Sequence, residues 1–201
     1  MLRLYDSRLS GNAWKVRILL TQLGLPFERV TLDLAKGATA VPAFRAKSRF
    51  SQVPVLELED GRTLVESAAI MYYLADGSPY LPDDPFIRAE VMGWLCFEQA
   101  DLLRPLALPR FYHMRGLAEK MTNRISDFQE RGYTALAKVD NWLGAHDWLV
   151  DNRYTIADIG VFGYVSMASQ GGYDMERFPL INAWVERVKA QRGWVPLVEE
   201  A

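Results

Sequence analysis

The chain has 201 residues, of which 50% are hydrophobic and 24% charged, a composition that excludes an intrinsically disordered chain and a miniprotein held together by disulfides. Lysine and arginine number 23 against 25 aspartates and glutamates, a formal charge of -2, so the positive excess typical of nucleic-acid-binding proteins is absent. The single cysteine, Cys96, cannot form an internal disulfide, which favours a reducing cytoplasm. One cysteine and two histidines are too few for a structural zinc site.

The distribution of hydrophobic residues along the chain does not suggest a membrane protein. The start of the chain, Met1 to Asp6, lacks the apolar core of a signal peptide. The longest uncharged run, residues 159–173, is interrupted by glycines and is too short to cross a bilayer. We therefore expect no membrane partner.

The first 76 residues alternate between strand and helix patterns. The predicted elements are a strand over 2–5, a helix over 12–23, a strand over 27–32, a short helix over 40–47, a hairpin of 53–58 and 62–65, and a helix over 67–75. Gly24 and Pro26 follow the first helix in the order that commonly ends one. This order predicts an α/β domain with a small mixed sheet.

Residues 77–85 contain three prolines and one glycine, the composition of a linker. The remainder, residues 86–201, has helical patterns throughout. One apolar stripe skips a turn at Gly132 and comprises Leu117, Met121, Ile125, Phe128, Leu136, Val139 and Leu143. Because Pro105 and Pro109 each lack a backbone N–H, we expect the helix that starts near Pro85 to kink or end at them.

A capping box is predicted at residues 155–158, where the Thr155 hydroxyl precedes Asp158 by three positions. We interpret it as a device that starts a helix and assign it no catalytic part. Replacing Asp158 by alanine should cost about 1 kcal/mol as the loss of a cap.

Three separated motifs now occur in one order: Val53-Pro54, Glu66-Ser67 and the capping box of residues 155–158. Together with the order of elements, they resemble the cytosolic glutathione transferase family over the whole chain. The resemblance implies a thioredoxin-like βαβαββα domain over 1–76 and an all-helical domain over 86–201. It also implies glutathione as co-substrate, no metal, and a homodimer formed through helices 70–74 and 89–97.

In the resembling family a Val-Pro pair at this place is joined by a cis peptide bond, an isomer that is accessible mainly before proline. The resemblance implies that the backbone of Val53 pairs with the cysteinyl backbone of glutathione, as an added strand would. The alternative is that Pro54 only opens an edge strand.

Glu66 and Ser67 lie between a strand and the start of a helix. A hydroxyl and the free N–H groups of a first turn bind a carboxylate well, and Glu66 can bind an ammonium. The γ-glutamyl end of glutathione carries both charges. The alternative is that Ser67 caps its own helix, although Ile70 stands where a capping box has Glu or Gln.

The turn of residues 10–12 precedes the first helix, where the family places the group that activates the thiol. Ser10 resembles the serine-type members, and Asn12, with Lys15 and Val16 following it, resembles bacterial members that use asparagine. Both remain candidates for a donor to the thiolate. The cysteine-type members are excluded because this turn has no cysteine, and we expect Cys96 to be a buried apolar residue.

The chain departs from the family pattern at residues 48–51, Ser-Arg-Phe-Ser, where many relatives have Asn-Pro-x-Gly. A basic residue for the glycyl carboxylate is also missing from its frequent place. Gln52, next to Val53, is the preferred contact for that carboxylate. Lys36, Lys47 and Arg49 are the remaining candidates.

A second-substrate pocket is expected beside the helix around residue 110, with Arg110 and Tyr112 on its wall and Leu108 and Phe111 packed in the interior. The resulting hypothesis is a transferase that presents the glutathione thiolate to a small hydrophobic electrophile. One alternative is a glutathione-dependent disulfide reductase or peroxidase. Another is a non-catalytic binding or assembly protein with the same fold.

Overall fold

A computed structural model describes residues 1–198 of the chain. The chain forms two compact units. One comprises residues 1–81 together with the segment from 191 to 198, and the other comprises residues 82–190.

The first unit contains a four-stranded mixed sheet. Its elements are β1 (Leu2–Asp6), α1 (Gly11–Gln22), β2 (Phe27–Thr31), a 3-10 turn (Leu34–Lys36), α2 (Pro42–Arg45), β3 (Val55–Glu57), β4 (Thr63–Val65) and α3 (Ser67–Leu74). The strands lie in the order β2-β1-β3-β4; β1 and β2 are parallel, and β3 is antiparallel to both of its neighbours. The predicted βαβαββα order is confirmed.

Helix α1 begins and ends where the sequence indicated. Ser10 is its N-cap, and its hydroxyl accepts a hydrogen bond from the N–H of Ala13 at 3.2 Å. At the other end Gly24 has a φ of 67°, and the N–H of Leu25 bonds the carbonyl of Leu20 at 3.0 Å. This is the closing hydrogen bond of a Schellman motif, which requires a left-handed residue that glycine adopts without strain.

Both faces of the sheet are covered. Leu4 and Leu56 pair across β1 and β3 and are fully buried on one face. On the opposite face Tyr5 and Val55 pack against Phe44 of α2, whose ring lies 6.1 Å from that of Tyr5.

The segment from 191 to 198 is bound to α1. The Trp14 indole N–H donates to the carbonyl of Val195 at 2.7 Å, and the Arg17 guanidinium donates to the carbonyl of Leu197 at 2.5 Å. Arg17 also forms a buried ion pair with Asp6, with 3.4 Å between Nε and Oδ2. The predicted boundaries placed these residues with the helical domain over 86–201, whereas the structure groups them with the first unit.

The second unit is helical, as predicted. Its elements are α4 (Pro85–Phe97), a π-helical segment (Glu98–Leu102), α5 (Leu103–Met114), a 3-10 turn (Glu119–Met121), α6 (Thr122–Leu143), α7 (Ile156–Val165), two 3-10 turns (Ala168–Gly171 and Met175–Arg177) and α8 (Pro179–Lys189). In the apolar stripe Ile125, Leu136, Val139 and Leu143 are buried and Phe128 is half-buried, whereas the first two positions, Leu117 and Met121, precede α6.

The prediction that the helix starting near Pro85 kinks or ends at Pro105 and Pro109 was wrong, because the helix is interrupted before both prolines. The interruption is the π-helical segment, whereas Pro105 lies in the first turn of α5 and Pro109 lies inside it. Pro109 cannot donate to the carbonyl of Pro105, four residues earlier. The Tyr173 hydroxyl donates to that carbonyl at 2.8 Å. Because a long-range donor satisfies it, α5 continues through Pro109.

Tyr173 also explains the gap in the stripe of α6. A Cβ placed on Gly132 would lie 2.2 Å from the Tyr173 hydroxyl oxygen. The stripe therefore lacks a side chain at the turn where this ring packs. Burial raises the pKa of Tyr173, so the hydroxyl keeps the proton that it donates.

The capping box of α7 is confirmed. The Thr155 hydroxyl accepts from the N–H of Ala157 at 3.2 Å, and the Asp158 carboxyl accepts from the N–H of Thr155 at 3.0 Å. The same carboxyl accepts from the N–H of Leu149 at 3.1 Å and from the indole N–H of Trp184 at 2.9 Å. Asp158 is therefore a buried junction between α7, α8 and the preceding loop. Burial raises its pKa to about 6.

Candidate functional site

A cleft in the first unit collects most of the predicted site residues. It has an empty volume of about 270 Å³. Its lining residues are Asn12, Ser48, Phe50, Gln52, Val53, Pro54, Val65, Glu66 and Ser67. These come from three separate segments: the first turn of α1, the loop before β3, and the junction of β4 with α3. The lining contains no cysteine.

The Val53–Pro54 peptide bond is cis, as predicted. Pro54 is buried and precedes β3, whereas Val53 is half-buried at the cleft. Within residues 1–198, neither the sheet pairing nor the loop hydrogen bonds engage the backbone of Val53. A backbone N–H and a carbonyl are thus available beside the cleft.

The junction of β4 and α3 is built by Glu66, which has a φ of 71°. That left-handed conformation is uncommon for a residue with a Cβ and costs of order 1–2 kcal/mol. Glu66 is the N-cap of α3 but makes no capping hydrogen bond with its side chain. Ser67, the first residue of the helix, is buried and lines the cleft. The structure therefore does not use Ser67 as the cap, and no side chain among residues 1–198 accepts from the first N–H groups of α3.

The two candidate donors to the thiolate lie in different places. The Ser10 hydroxyl caps α1 and is not among the residues that line the cleft. Asn12 is among the residues that line the cleft, and its side-chain Oδ1 accepts from the Lys15 ammonium at 2.8 Å. The geometry thus distinguishes between two residues that the sequence left equivalent.

The candidates for the glycyl carboxylate are also distinguished by their contacts. The Lys47 ammonium lies 2.8 Å from the Glu57 carboxylate, and this hydrogen bond raises the pKa of Lys47 and lowers that of Glu57. The Lys36 ammonium lies 3.5 Å from Asp33. The Arg49 guanidinium lies over the Phe50 ring at 5.2 Å. Among the four candidates, Gln52 alone lines the cleft.

Arg110 and Tyr112, the predicted wall residues of a second-substrate pocket, are both buried in α5. The Arg110 guanidinium donates to the Gln170 side-chain oxygen at 2.7 Å, and burial lowers its pKa. Phe111 is 41% exposed. The expectation that Phe111 packs in the interior was therefore wrong, because α5 turns its 110 and 112 positions inward instead.

Cys96 is exposed on α4. The expectation of a buried cysteine was wrong, since the buried positions of this helix are Val91 and Leu95. Within residues 1–198, no group of three or more histidine, cysteine, aspartate or glutamate side chains is arranged to hold a metal ion. None of the helices described in this range has both the length and the apolar character needed to cross a membrane.

Comparison with known proteins identifies the family. Residues 4–80 match the family model for the glutathione S-transferase N-terminal domain, and residues 107–192 match that for the C-terminal domain. The chain belongs to the glutathione S-transferase family. Its fold is the family fold, a thioredoxin-like unit with a mixed sheet and a helical unit.

Three relatives illustrate the range of similarity. A crystal structure of a glutathione S-transferase from Pseudomonas fluorescens is 39% identical, with a TM-score of 0.96 over 98% of this chain and 99% of that one. The glutathione S-transferase-like protein LUC7 of a Fusarium species is 30% identical over 92% of this chain and 87% of the relative. The disulfide-bond oxidoreductase YfcG of Escherichia coli is 25% identical over 90% and 86%.

The sequence analysis assigned no role to two residues, Ser48 at the cleft and Lys15 next to Asn12. Ser48 is buried, and its hydroxyl donates to the carbonyl of Gln52 at 3.0 Å while accepting from the N–H of the same residue at 3.1 Å. It closes the loop of residues 48–52. Lys15 is fully buried against Asn12. A lysine three positions after Asn12, on the same helix face, was the available signal.

Proposed function

We propose that this chain binds glutathione in the cleft and presents its thiolate to a small hydrophobic electrophile. The observation that supports this is the convergence of Asn12, Val53 and Ser67 on one cleft from segments far apart in sequence. Each of the three offers a different group: a side-chain amide, an unpaired peptide, and an uncapped helix start.

The γ-glutamyl end binds at the start of α3 in this proposal. Its carboxylate accepts from the Ser67 hydroxyl and from the first N–H groups of the helix, where the helix dipole favours negative charge. Its ammonium pairs with the Glu66 carboxylate. The left-handed backbone of Glu66 supports this, because strained residues recur at ligand-binding sites.

The remaining two residues of the tripeptide follow the loop before β3. The cysteinyl N–H and carbonyl pair with the backbone of Val53, next to the buried Pro54. The glycyl carboxylate accepts from the Gln52 amide, since Gln52 is the candidate that lines the cleft. Ser48 fixes this loop with its two hydrogen bonds to Gln52.

Asn12 activates the thiol. The pKa of a thiol is ordinarily near 8.5, and it must fall by about two for the thiol to be mostly ionised at neutral pH. This requires roughly 2.7 kcal/mol of stabilisation of the thiolate relative to the thiol. One hydrogen bond to a charged acceptor contributes roughly 1.5–3 kcal/mol, and the start of α1 adds about 0.3–1 kcal/mol. We prefer Asn12 to Ser10 as the donor because Asn12 lines the cleft and Ser10 does not.

The proposed reaction is a substitution or addition at carbon. The thiol proton leaves to solvent, the sulfur lone pair forms the new S–C bond, and a leaving group departs with its electron pair or the product takes up a proton. Catalysis then consists of positioning and of a lowered thiol pKa. Arg110 and Tyr112 remain predicted contacts of the second substrate.

The second candidate is a disulfide reductase, favoured by the similarity to the disulfide-bond oxidoreductase YfcG. The lining of the cleft has no cysteine, so both reducing equivalents come from glutathione. One glutathione thiolate attacks the disulfide and releases a thiolate; a second attacks the mixed disulfide and yields glutathione disulfide. A non-catalytic binding or assembly protein is the third candidate.

Calorimetry with glutathione and three parallel rate assays test the proposal. We expect saturable binding to the native chain, weakened by Ser67→Ala, and faster turnover of a chloronitrobenzene than of hydroxyethyl disulfide or a hydroperoxide. A faster reaction with the disulfide selects the reductase. Absence of glutathione binding contradicts both enzymes and leaves the non-catalytic protein.

We also propose a homodimer. Helix α4 exposes Ala89, Met92, Gly93 and Cys96 at helical spacing, and Tyr73 of α3 is 51% exposed. Such apolar positions suit contact with a second copy. Sedimentation should give twice the chain mass, and Met92→Glu should give the monomer. We retain the prediction of a reducing, cytoplasmic environment, which rests on the single cysteine.

A further inference from the structure

Lys15 is a charged residue in a costly place. It is fully buried in the second turn of α1. Burying an ammonium is expensive unless it is paired, and a cation near the start of a helix opposes the helix dipole. An apolar residue would pack there without either cost. Its ammonium donates to Oδ1 of Asn12 at 2.8 Å. Lys15 therefore contacts the residue that we propose as the hydrogen-bond donor to the thiol.

This contact determines how the Asn12 amide is oriented. An ammonium has three donors and no acceptor, so the amide atom that faces Lys15 must be the oxygen. The NH2 group is then on the other branch of the planar amide. Asn12 is one of the residues that line the cleft, and with its oxygen held by Lys15 the amide has a donor to offer a ligand there. A thiolate needs a donor, whereas an amide turned by half a rotation would offer it an oxygen and repel it.

We propose that Lys15 is a positioning residue for the thiolate: its ammonium holds the Asn12 oxygen and thereby turns the Asn12 NH2 toward the sulfur of bound glutathione. The inference rests on the proposed function. The ammonium also polarises the amide, which strengthens the hydrogen bond that the NH2 donates.

Arg17 provides a matched control. It is also a buried cation of α1, 2% exposed. Its contacts run to Asp6 and to the carbonyls of residues 196 and 197. If any disturbance of a buried cation in α1 altered the pKa of the bound thiol, variants at 15 and 17 would both change that pKa. The proposal predicts that only position 15 affects the thiol.

The test is an ultraviolet titration of the thiol of glutathione bound to the native chain, Lys15→Met and Arg17→Lys. We expect Lys15→Met to raise the pKa of the bound thiol by about one, with glutathione affinity changed less than threefold, roughly 0.6 kcal/mol, when it is measured at a pH below the pKa of the bound thiol. Lys15→Arg, whose guanidinium also only donates, should restore most of the difference. Arg17→Lys should leave the pKa of the thiol unchanged.

Coupling to Asn12 provides the second condition. In an Asn12→Ala background, Lys15→Met should have no further effect on the thiol. The inference is overturned if Lys15→Met leaves the pKa of the bound thiol unchanged, or if Lys15→Met changes that pKa equally in the native and the Asn12→Ala backgrounds. If the native chain itself does not lower the thiol pKa, the proposed function fails first, which is a distinguishable result.

A measurement on the native chain covers the case in which Lys15→Met does not fold. In a nitrogen-15 NMR titration with glutathione, the Asn12 side-chain NH2 resonances should shift as the thiolate binds. S-methylglutathione, which cannot ionise at sulfur, should leave them nearly in place. Equal shifts with both ligands contradict the proposed orientation.

Discussion

Replacing Gly132 by alanine should destabilise the protein, although helix propensity alone predicts the reverse. Alanine is favoured over glycine inside a helix by about 0.8–1.0 kcal/mol. In α6, however, the new Cβ would lie 2.2 Å from the Tyr173 hydroxyl oxygen and 2.6 Å from two of its ring carbons. The tyrosine ring must therefore move.

The magnitude follows from what that movement breaks. Forcing one extra carbon into a packed site costs typically about 1–3 kcal/mol. A displaced Tyr173 also withdraws its hydrogen bond from the carbonyl of Pro105, which Pro109 cannot replace. An unsatisfied buried carbonyl costs about 1–3 kcal/mol. After the gain in propensity, we expect a net loss of about 1–5 kcal/mol.

Urea unfolding followed by circular dichroism measures this change as a lower midpoint at constant slope. Gly93 of α4 is the matched control, because a Cβ there has no neighbour within 4 Å. Gly93→Ala should raise the free energy of unfolding by about 1 kcal/mol. Sedimentation should check that this variant has the same oligomeric state as the native chain. In a Tyr173→Leu background, Gly132→Ala should become neutral or stabilising. A Gly132→Ala variant as stable as the native chain refutes this reasoning.

Three further predictions concern the buried carboxyl and the cleft. Burial raises the Asp158 pKa from 3.8 to about 6, so its neutral form is favoured by folding; stability should fall by about 3 kcal/mol as pH rises from about 4 to 6, and urea unfolding of Asp158→Asn should lack this fall. Ser48→Ala should weaken glutathione binding about fivefold by calorimetry, through loss of about 1 kcal/mol of loop order; unchanged affinity would contradict a role for that loop. Glu66→Gln should weaken binding at least tenfold, as expected for a charge-assisted hydrogen bond of about 1.5–3 kcal/mol, and equal affinity would place the ammonium elsewhere.

The order of elements could be predicted because it depends on local patterns. Alternation, helical spacing and the Gly24-Pro26 stop each act within a few residues, and so does the capping box at Thr155. These features also reveal where α3 starts, and hence that Glu66 and Ser67 stand at a helix N-terminus.

The rest depends on contacts between distant residues. Pro109 inside α5 is tolerated because Tyr173, 64 positions later, supplies the missing donor. Residues 195–197 return to α1 because Trp14 and Arg17 bond their carbonyls. No period or turn signal encodes either contact.

In the candidate site, too, the parts that are encoded locally could be predicted, and the parts that depend on distant contacts could not. The sequence located Val53-Pro54 and Glu66-Ser67, since each is a motif of adjacent residues. It could not choose between Ser10 and Asn12, because the proposed choice depends on which of the two residues lines the cleft. Lys15 was noted only as a residue that follows Asn12, and its burial against the Asn12 oxygen is what motivates a role in chemistry.

A crystal structure of the chain with bound glutathione tests the central claim most directly. We expect the tripeptide to lie along Val53, with its γ-glutamyl carboxylate at Ser67 and its sulfur within hydrogen-bonding distance of Nδ2 of Asn12. A tripeptide bound outside this cleft, or a sulfur in contact with Ser10 and not with Asn12, would contradict the account.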